Sequence, residues 1–304
     1  MSPLTNVAHS IQRYFDNNMA SLRWEKQLHY AERLGKITGQ KKYLDQVERL
    51  IPQQMHEAKR LCALLTSDWS QEAKVLLASV KVLKPADKLK IELYKSDPYL
   101  LIVFRFLWFV YNSWLVTQKD PAPLADDLLE TISQKLLKKE TVRAVSSRVA
   151  NSCYALEKVY NVPLVESYLN TVNLLKSSRK PDEITNWYYG LTHVLINESG
   201  YYQRFIPEYQ NRQVTKLLIK DSPRIIQTEN IDLALETAIS TRLTGISLNA
   251  YETKLKKRLL SKYNGIYIPH EVSTNINDTE HRNVLTLIWI FLKEKQIKHF
   301  YPLS

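Results

Sequence analysis

The stretch WEKQLHYAERLGKITGQKKYLDQVERLIP, residues 24–52, carries two apolar stripes: Trp24, Leu28, Ala31 and Leu34, then Tyr43, Leu44, Val47, Leu50 and Ile51. Gly35 and Gly39 interrupt the pattern between them, and Pro52 follows the second stripe. Apolar residues recurring every three or four positions make one face of an α-helix, so the spacing predicts a helix, a short turn and a helix. The same period extends outward. Upstream it takes in Val7, Ile11, Tyr14, Phe15 and Met19; downstream it runs through Met55–Leu65, Trp69–Leu83, Leu124–Leu136, Val142–Leu156, Leu164–Leu175, Ile231–Leu243, Tyr251–Leu260 and Val284–Ile297. Asp97-Pro98 opens an apolar helix, since Asp caps and Pro suits the first position; Pro181 opens another that Gly200 closes. The chain thus reads as about a dozen helices joined by short connections. Gly265 to Pro269 is the one strand candidate, inside a long loop from Tyr263 to Thr279 that reads as a lid.

Composition agrees with an all-α fold. A chain of 304 residues has only 6 glycines, too few for the tight turns that sheets require. Its length allows one helical domain over 1–304, or two packed halves meeting near 176–181. Lys and Arg number 42 against 31 Asp and Glu, a net charge of +11 that attracts anionic partners without choosing among them. The local cluster Lys254, Lys256, Lys257, Arg258 and Lys262 has the spacing of a solvated helix face, which leaves nucleic acid a secondary expectation. Cys62 and Cys153 lie on apolar stripes without metal-ligand spacing and read as buried reduced thiols. With no charged start and apolar run in residues 1–15, the expected setting is cytoplasmic. The aromatic run Tyr99 to Val116 is interrupted by Arg105, Asn112 and Ser113, so it reads as a core helix rather than a membrane span.

The run Gln27 to Leu44 resembles the outer hairpin of α/α-toroid proteins, in which helix pairs ring a central cavity; it also resembles tetratricopeptide hairpins, and a helical solenoid of that type is the alternative architecture. No 34-residue period recurs along the chain, which favours the toroid-like array. Gly190-Leu191-Thr192-His193 and Glu280-His281-Arg282-Asn283-Val284-Leu285 are similar to motifs of an uncharacterised bacterial family of toroid-like helical proteins. That resemblance covers most of the chain and implies no particular activity. Lanthionine cyclases share such a toroid, but their Gly-Trp-Cys and Cys-His-Gly zinc motifs do not occur here.

Candidate chemistry rests on three places. Residues 184–203 hold one formal charge, Glu198, in a chain that is 24% charged, so this helix is expected to be enclosed. Ile184, Trp187, Tyr188, Leu191 and Leu195 form its apolar side; Asn186, Tyr189, His193 and Asn197 align on another, as the lining of a polar cavity with His193 as acid or base. Gly190 beside that stripe allows close approach of a ligand or of neighbouring backbone. Second, Asn277-Asp278-Thr279 reads as a helix cap that places Glu280, His281 and Arg282 in a first turn, where an anion is welcome, with Asn283 next to them. Third, Arg105 shares a face with Trp108 and Asn112, and its burial demands a carboxylate or a bound anion. Together these predict a polar cavity for a small anionic or polyhydroxylated ligand, with His193, Glu280 and His281 as catalytic candidates; a scaffold binding protein or nucleic acid on its basic exterior is the alternative. No metal or cofactor is called for, because no phosphate loop, His-Glu-x-x-His or Gly-x-Ser-x-Gly motif is present and a metal would need His193, His281 and Glu280 to converge. The His193 helix and the last helix are expected to face one cavity beneath the lid.

Overall fold

Gly39 takes the left-handed conformation, with φ 65°, and donates its N–H to Gly35 O. That αL cap ends α2 (Trp24–Thr38) and releases the chain into α3 (Lys41–Leu65), the expected helix, turn and helix. The computed structural model describes residues 3–80, 87–175, 181–207 and 211–292; the connector 176–180 and the end of the last stripe lie outside the described residues. Among the described residues there are fourteen α-helices and no strand. Gly265 to Pro269 is irregular because Asn264 Oδ1 accepts the N–H groups of Ile266 and Tyr267, a local turn that takes up the donors a sheet would need.

The helices gather into two compact units: the described residues of Met1–Ile51 with Glu198–Phe300, and Pro52–Asn197. The first boundary falls at Pro52 inside α3, where a missing N–H interrupts the helical ladder.

The first unit contains α1 (Pro3–Asn17), α2, the start of α3, α11 (Arg212–Ile225), α12 (Ile231–Leu243), α13 (Asn249–Lys262) and α14 (Ile276–Phe291). α14 packs on α1, α2 and α12, and α12 also packs on α11 and α13. Every residue of α12 from Ile231 through Thr241 is buried. A helix enclosed on all sides has no face to offer water, so Asp232, Glu236, Thr237 and Ser240 go into the interior with it.

The second unit contains the rest of α3, α4 (Ser70–Ser79), α5 (Asp87–Ser96), α6 (Tyr99–Thr117), α7 (Asp126–Leu136), α8 (Lys139–Tyr160), α9 (Val165–Leu174) and most of α10 (Pro181–Glu198). α6 packs against α4, α5 and α8. It is the one described helix long and apolar enough to cross a membrane, and 78% of its most apolar window is buried, as in a core helix. Cys153 is fully buried, whereas Cys62 corrects its expectation: it is only half-buried, its Sγ 3.6 Å from Pro123 O.

α8 is kinked at Val145, where φ −143° and ψ 46° leave the helical region. Backbone carbonyls freed by a kink need other donors. Asn186 Nδ2 donates to Ala144 O at 2.9 Å, and Tyr168 Oη donates to Ser146 O at 3.1 Å while sharing a 2.8 Å hydrogen bond with Ser146 Oγ. Gly190 permits this approach of α8 and α9 to α10, because a methyl group there would overlap Ser146 Oγ and Tyr168 Oη. A cavity of about 10 Å³, lined by Val142, Arg143, Ser146, Leu175, Glu183 and Trp187, adjoins the kink and has room for about one water.

Candidate functional site

A cluster of charged groups in the first unit is drawn from α2 and α12 on either side of α14, which packs on both. On α2, Lys26, His29, Arg33 and Lys36 recur at intervals of three, four and three, one stripe along the helix, with Glu32 beside Arg33. α14 contributes Glu280 and His281, and α12 contributes Glu236.

Glu280 is fully buried and is the hub of the outer half. Its Oε2 lies 2.9 Å from Lys26 Nζ and its Oε1 2.6 Å from His29 Nδ1. Burial pushes the Glu280 carboxyl up, but the neighbouring His29 and Lys26 outweigh burial and hold it below the usual carboxylate range. The opposite balance holds at His29: burial lowers its pKa to about 4 despite the pull of Glu280. A neutral imidazole facing a carboxylate carries its proton on the nitrogen that faces it, so Nδ1–H donates to Glu280 and Nε2 keeps its lone pair. His281 stands beside it, the two ring centroids 5.6 Å apart, with its own Nε2 at 3.5 Å from Glu236 Oε1. Two imidazoles, each on a buried carboxylate, are therefore neighbours.

Exposure falls steadily inward: the side chain of His281 is 40% exposed, Lys26 26% and His29 14%, and Lys36 at the far end is sealed. In the inner half, Glu32 takes Lys36 Nζ at 2.5 Å and lies 2.9 Å from Arg33 Nη1. Burial lowers the Lys36 ammonium to about 8, with Glu32 opposing. Arg33 is covered by the rings of Tyr201 and Tyr202, its guanidinium carbon 4.3 and 5.7 Å from their centroids. Gly200, Tyr201 and Tyr202 are three consecutive left-handed residues, with φ 63°, 55° and 72°. For tyrosine that backbone costs on the order of 1–3 kcal/mol per residue and persists only where the surroundings hold it, a circumstance concentrated at ligand sites.

His29 makes the stability of this unit sensitive to mild acid. The unfolded imidazole takes its proton near pH 6.5 and the folded one near 4, so between those values the unfolded chain holds more protons and stability falls as pH falls. The expected loss is on the order of 3 kcal/mol from pH 6.5 to 4. His29→Asn, whose amide replaces Nδ1–H, flattens this limb in urea denaturation; an unchanged limb would show that His29 is not its source.

Among the residues expected from sequence, Glu280 and His281 belong to this cluster. Their helix begins earlier than expected: Asn275 caps α14 by accepting the Asn277 N–H, so Glu280 to Asn283 lie beyond the first turn and no helix N-terminus is offered there to an anion. Arg282 is occupied, bonded to Asp232 at 2.8 Å and to Glu271 and Pro269 O at 2.9 Å. Asn283 clamps the loop through both Ile268 backbone groups, accepting its N–H at 2.9 Å and donating to its carbonyl at 2.8 Å. Asn283→Ala leaves that buried pair unmatched, and we expect a loss of about 2 kcal/mol in unfolding free energy, with faster amide hydrogen exchange at Ile268 as the local readout.

His193, Asn186, Tyr189 and Asn197 lie on α10 in the other unit. His193 Nδ1 is 2.8 Å from Asn151 Oδ1 on α8, which also accepts from Asn197 Nδ2 at 2.7 Å. The Tyr189 carbonyl accepts from Thr192 Oγ1. Arg105 lies over Phe109 and helps to hold the Glu72 carboxylate low, after Arg60. Asn112 donates to Trp108 O of its own helix at 2.7 Å. Among the described residues, no group of three or more His, Cys, Asp or Glu is placed to hold a metal ion.

The fold and this cluster define an all-α protein with a buried, charged polar centre on three helices. The chain belongs to the family described as domain of unknown function DUF3541, which matches residues 4–299. No curated protein and no solved structure matches it.

Lys26, His29, Glu32, Arg33, Lys36 and Glu236 were not legible as site residues, because charges on a helix with one apolar stripe read as a solvated face. One signal was available for Glu236: apolar residues encircle Ile231–Leu243, which implies full burial and hence carboxylates that need partners.

Proposed function

We propose that the centre on α2, α12 and α14 is an acid–base site for a small anionic or polyhydroxylated molecule. The observation that carries this reading is the fully buried Glu280 holding His29 through Nδ1 at 2.6 Å, beside a second imidazole paired with Glu236. His29 is the base, accepting a proton from a substrate hydroxyl or activated C–H at Nε2. Glu280 fixes its tautomer and offsets the charge that develops on the ring. Lys26 balances Glu280, and His281, more exposed, carries protons between the site and solvent. Glu280 and His281 keep the catalytic roles expected from sequence, and His29 is put forward as the base on the strength of its 2.6 Å contact with the buried Glu280. A toroid-like arrangement of the hairpins and a reducing, cytoplasmic setting, favoured by two free cysteines, belong to the same reading.

The test uses no substrate. At pH 5 an ordinary imidazole is only about 3% neutral, whereas His29, its pKa lowered to about 4 by burial, is mostly neutral. Diethyl pyrocarbonate attacks neutral imidazole, so of the 7 histidines in the chain His29 is expected to be carbethoxylated first at pH 5, as mapped by peptide mass spectrometry. Glu280→Gln slows that labelling. Labelling that follows surface exposure alone, with His29 inert, would remove the base from the proposal.

A further inference from the structure

We propose that Arg33 is the oxyanion-recognition residue of this site, so that the ligand carries a carboxylate or a phosphate; this rests on the acid–base reading of His29 given above. Arg33 is 3% exposed, yet its Nη1 has no hydrogen-bond acceptor. The 2.9 Å approach to Glu32 is an ion pair without hydrogen-bond geometry, and that carboxylate is already bonded to Lys36. A guanidinium offers five N–H donors in a planar fork that matches two oxygens of a carboxylate or phosphate, and buried donors are otherwise almost always satisfied. Tyr201 and Tyr202 pack on the guanidinium, their centroids 4.3 and 5.7 Å from its carbon. The other arginine on the same helix pair, Arg282, has its fork filled by Asp232, Glu271 and Pro269 O.

The position of Arg33 also sizes the ligand. Arg33 follows His29 by four positions on α2, just over one helical turn, or about 6 Å along the axis. A small molecule with its oxyanion on Arg33 therefore brings a hydroxyl or carbonyl two or three atoms away to His29 Nε2. Short hydroxy acids, keto acids and sugar phosphates fit that description.

Inorganic phosphate and glycolate are the probes, each titrated into the full chain by calorimetry and by thermal shift. A saturable response to at least one is expected in the wild type. Phosphate alone would identify a phosphate site, and glycolate alone a carboxylate site. The response should be lost in Arg33→Met, weakened about tenfold or more in Arg33→Lys, which keeps the charge but not the fork, and unchanged when Lys254 and Lys257 on the basic face of α13 are both changed to Ala. If Arg33→Met fails to fold, Arg33→Lys decides. No saturable response in the wild type, or wild-type binding in Arg33→Lys and Arg33→Met, overturns the inference. Carbethoxylation of His29 at pH 5, scored on the same samples, separates the two readings. A reactive His29 without anion binding sinks the oxyanion role alone, and Arg33-dependent anion binding with an inert His29 sinks the base alone.

Discussion

Glu280→Ala is expected to lower the unfolding free energy by about 3–4 kcal/mol at neutral pH, within the range of about 3–5 kcal/mol for removing one partner of a buried ionic pair. Glu280 is fully buried and joins α14 to α2 through two cationic or hydrogen-bonding partners. Removing it leaves His29 Nδ1–H without its acceptor and Lys26 without its counter-charge. Lys26 is 26% exposed and can turn toward water, which places the expected loss at the lower end of that range. Glu280→Gln keeps an acceptor for His29 and loses only the charge, so about half that cost is expected. The pH dependence separates charge from packing. The folded Glu280 carboxyl is held below its ordinary range, so its contribution is present above the unfolded pKa and is lost as pH falls through the folded one. The gap between wild type and Glu280→Gln should narrow on acidification, while the part of the Glu280→Ala gap due to lost packing should persist. Equal stability of wild type and Glu280→Ala in urea at pH 7 would show that the hub does not hold α14 to α2.

The second large effect lies in the other unit. Gly190→Ala is expected to cost about 3 kcal/mol, the upper part of the range for overpacking, although alanine is the better helix former by about 1 kcal/mol. The new methyl would overlap the hydroxyls of Ser146 and Tyr168 and come within 2.8 Å of Ser146 Cβ. Those hydroxyls are bonded to each other, and Tyr168 also bonds the Ser146 carbonyl next to the kink in α8, so neither group can shift without leaving a buried donor or acceptor unmatched. Tyr168→Phe removes one of the two clashing oxygens. The double variant Gly190→Ala with Tyr168→Phe should therefore lose less than the sum of its parts, by on the order of 1 kcal/mol, since residues sharing a contact are not additive. A neutral or stabilised Gly190→Ala would mean that α10 stands further from α8 and α9 than described.

The neutral stripe on α10 shows how a sequence signal can be read correctly in one respect and incompletely in another. Near-absence of charge between 184 and 203 does mark an enclosed helix, since Trp187, Tyr188, Leu191, Val194 and Leu195 are all buried. What the polar members of the stripe bond to was not legible: Asn186 serves carbonyls freed by a kink in α8, and His193 and Asn197 meet on Asn151. A kink at Val145 has no local marker such as proline, so its unsatisfied carbonyls cannot be anticipated from spacing.

By itself the sequence determined the all-α class and most helix boundaries, because apolar period, left-handed Gly39 and Gly200 and the opening Pro181 act within a few residues along the chain. It also singled out Glu280 and His281. Only the tertiary structure decided what surrounds them. α2 carries an apolar stripe and a charged stripe, and amphipathicity assigns the second to water; packing against α14 buries it instead, and Glu32, Arg33 and Lys36 become interior charges that must find partners. A helix's period records which of its faces is apolar. Whether its polar face meets solvent or another helix's polar face depends on residues some 250 positions away, as the pairs Lys26–Glu280 and His29–Glu280 show, and no local pattern encodes that distance.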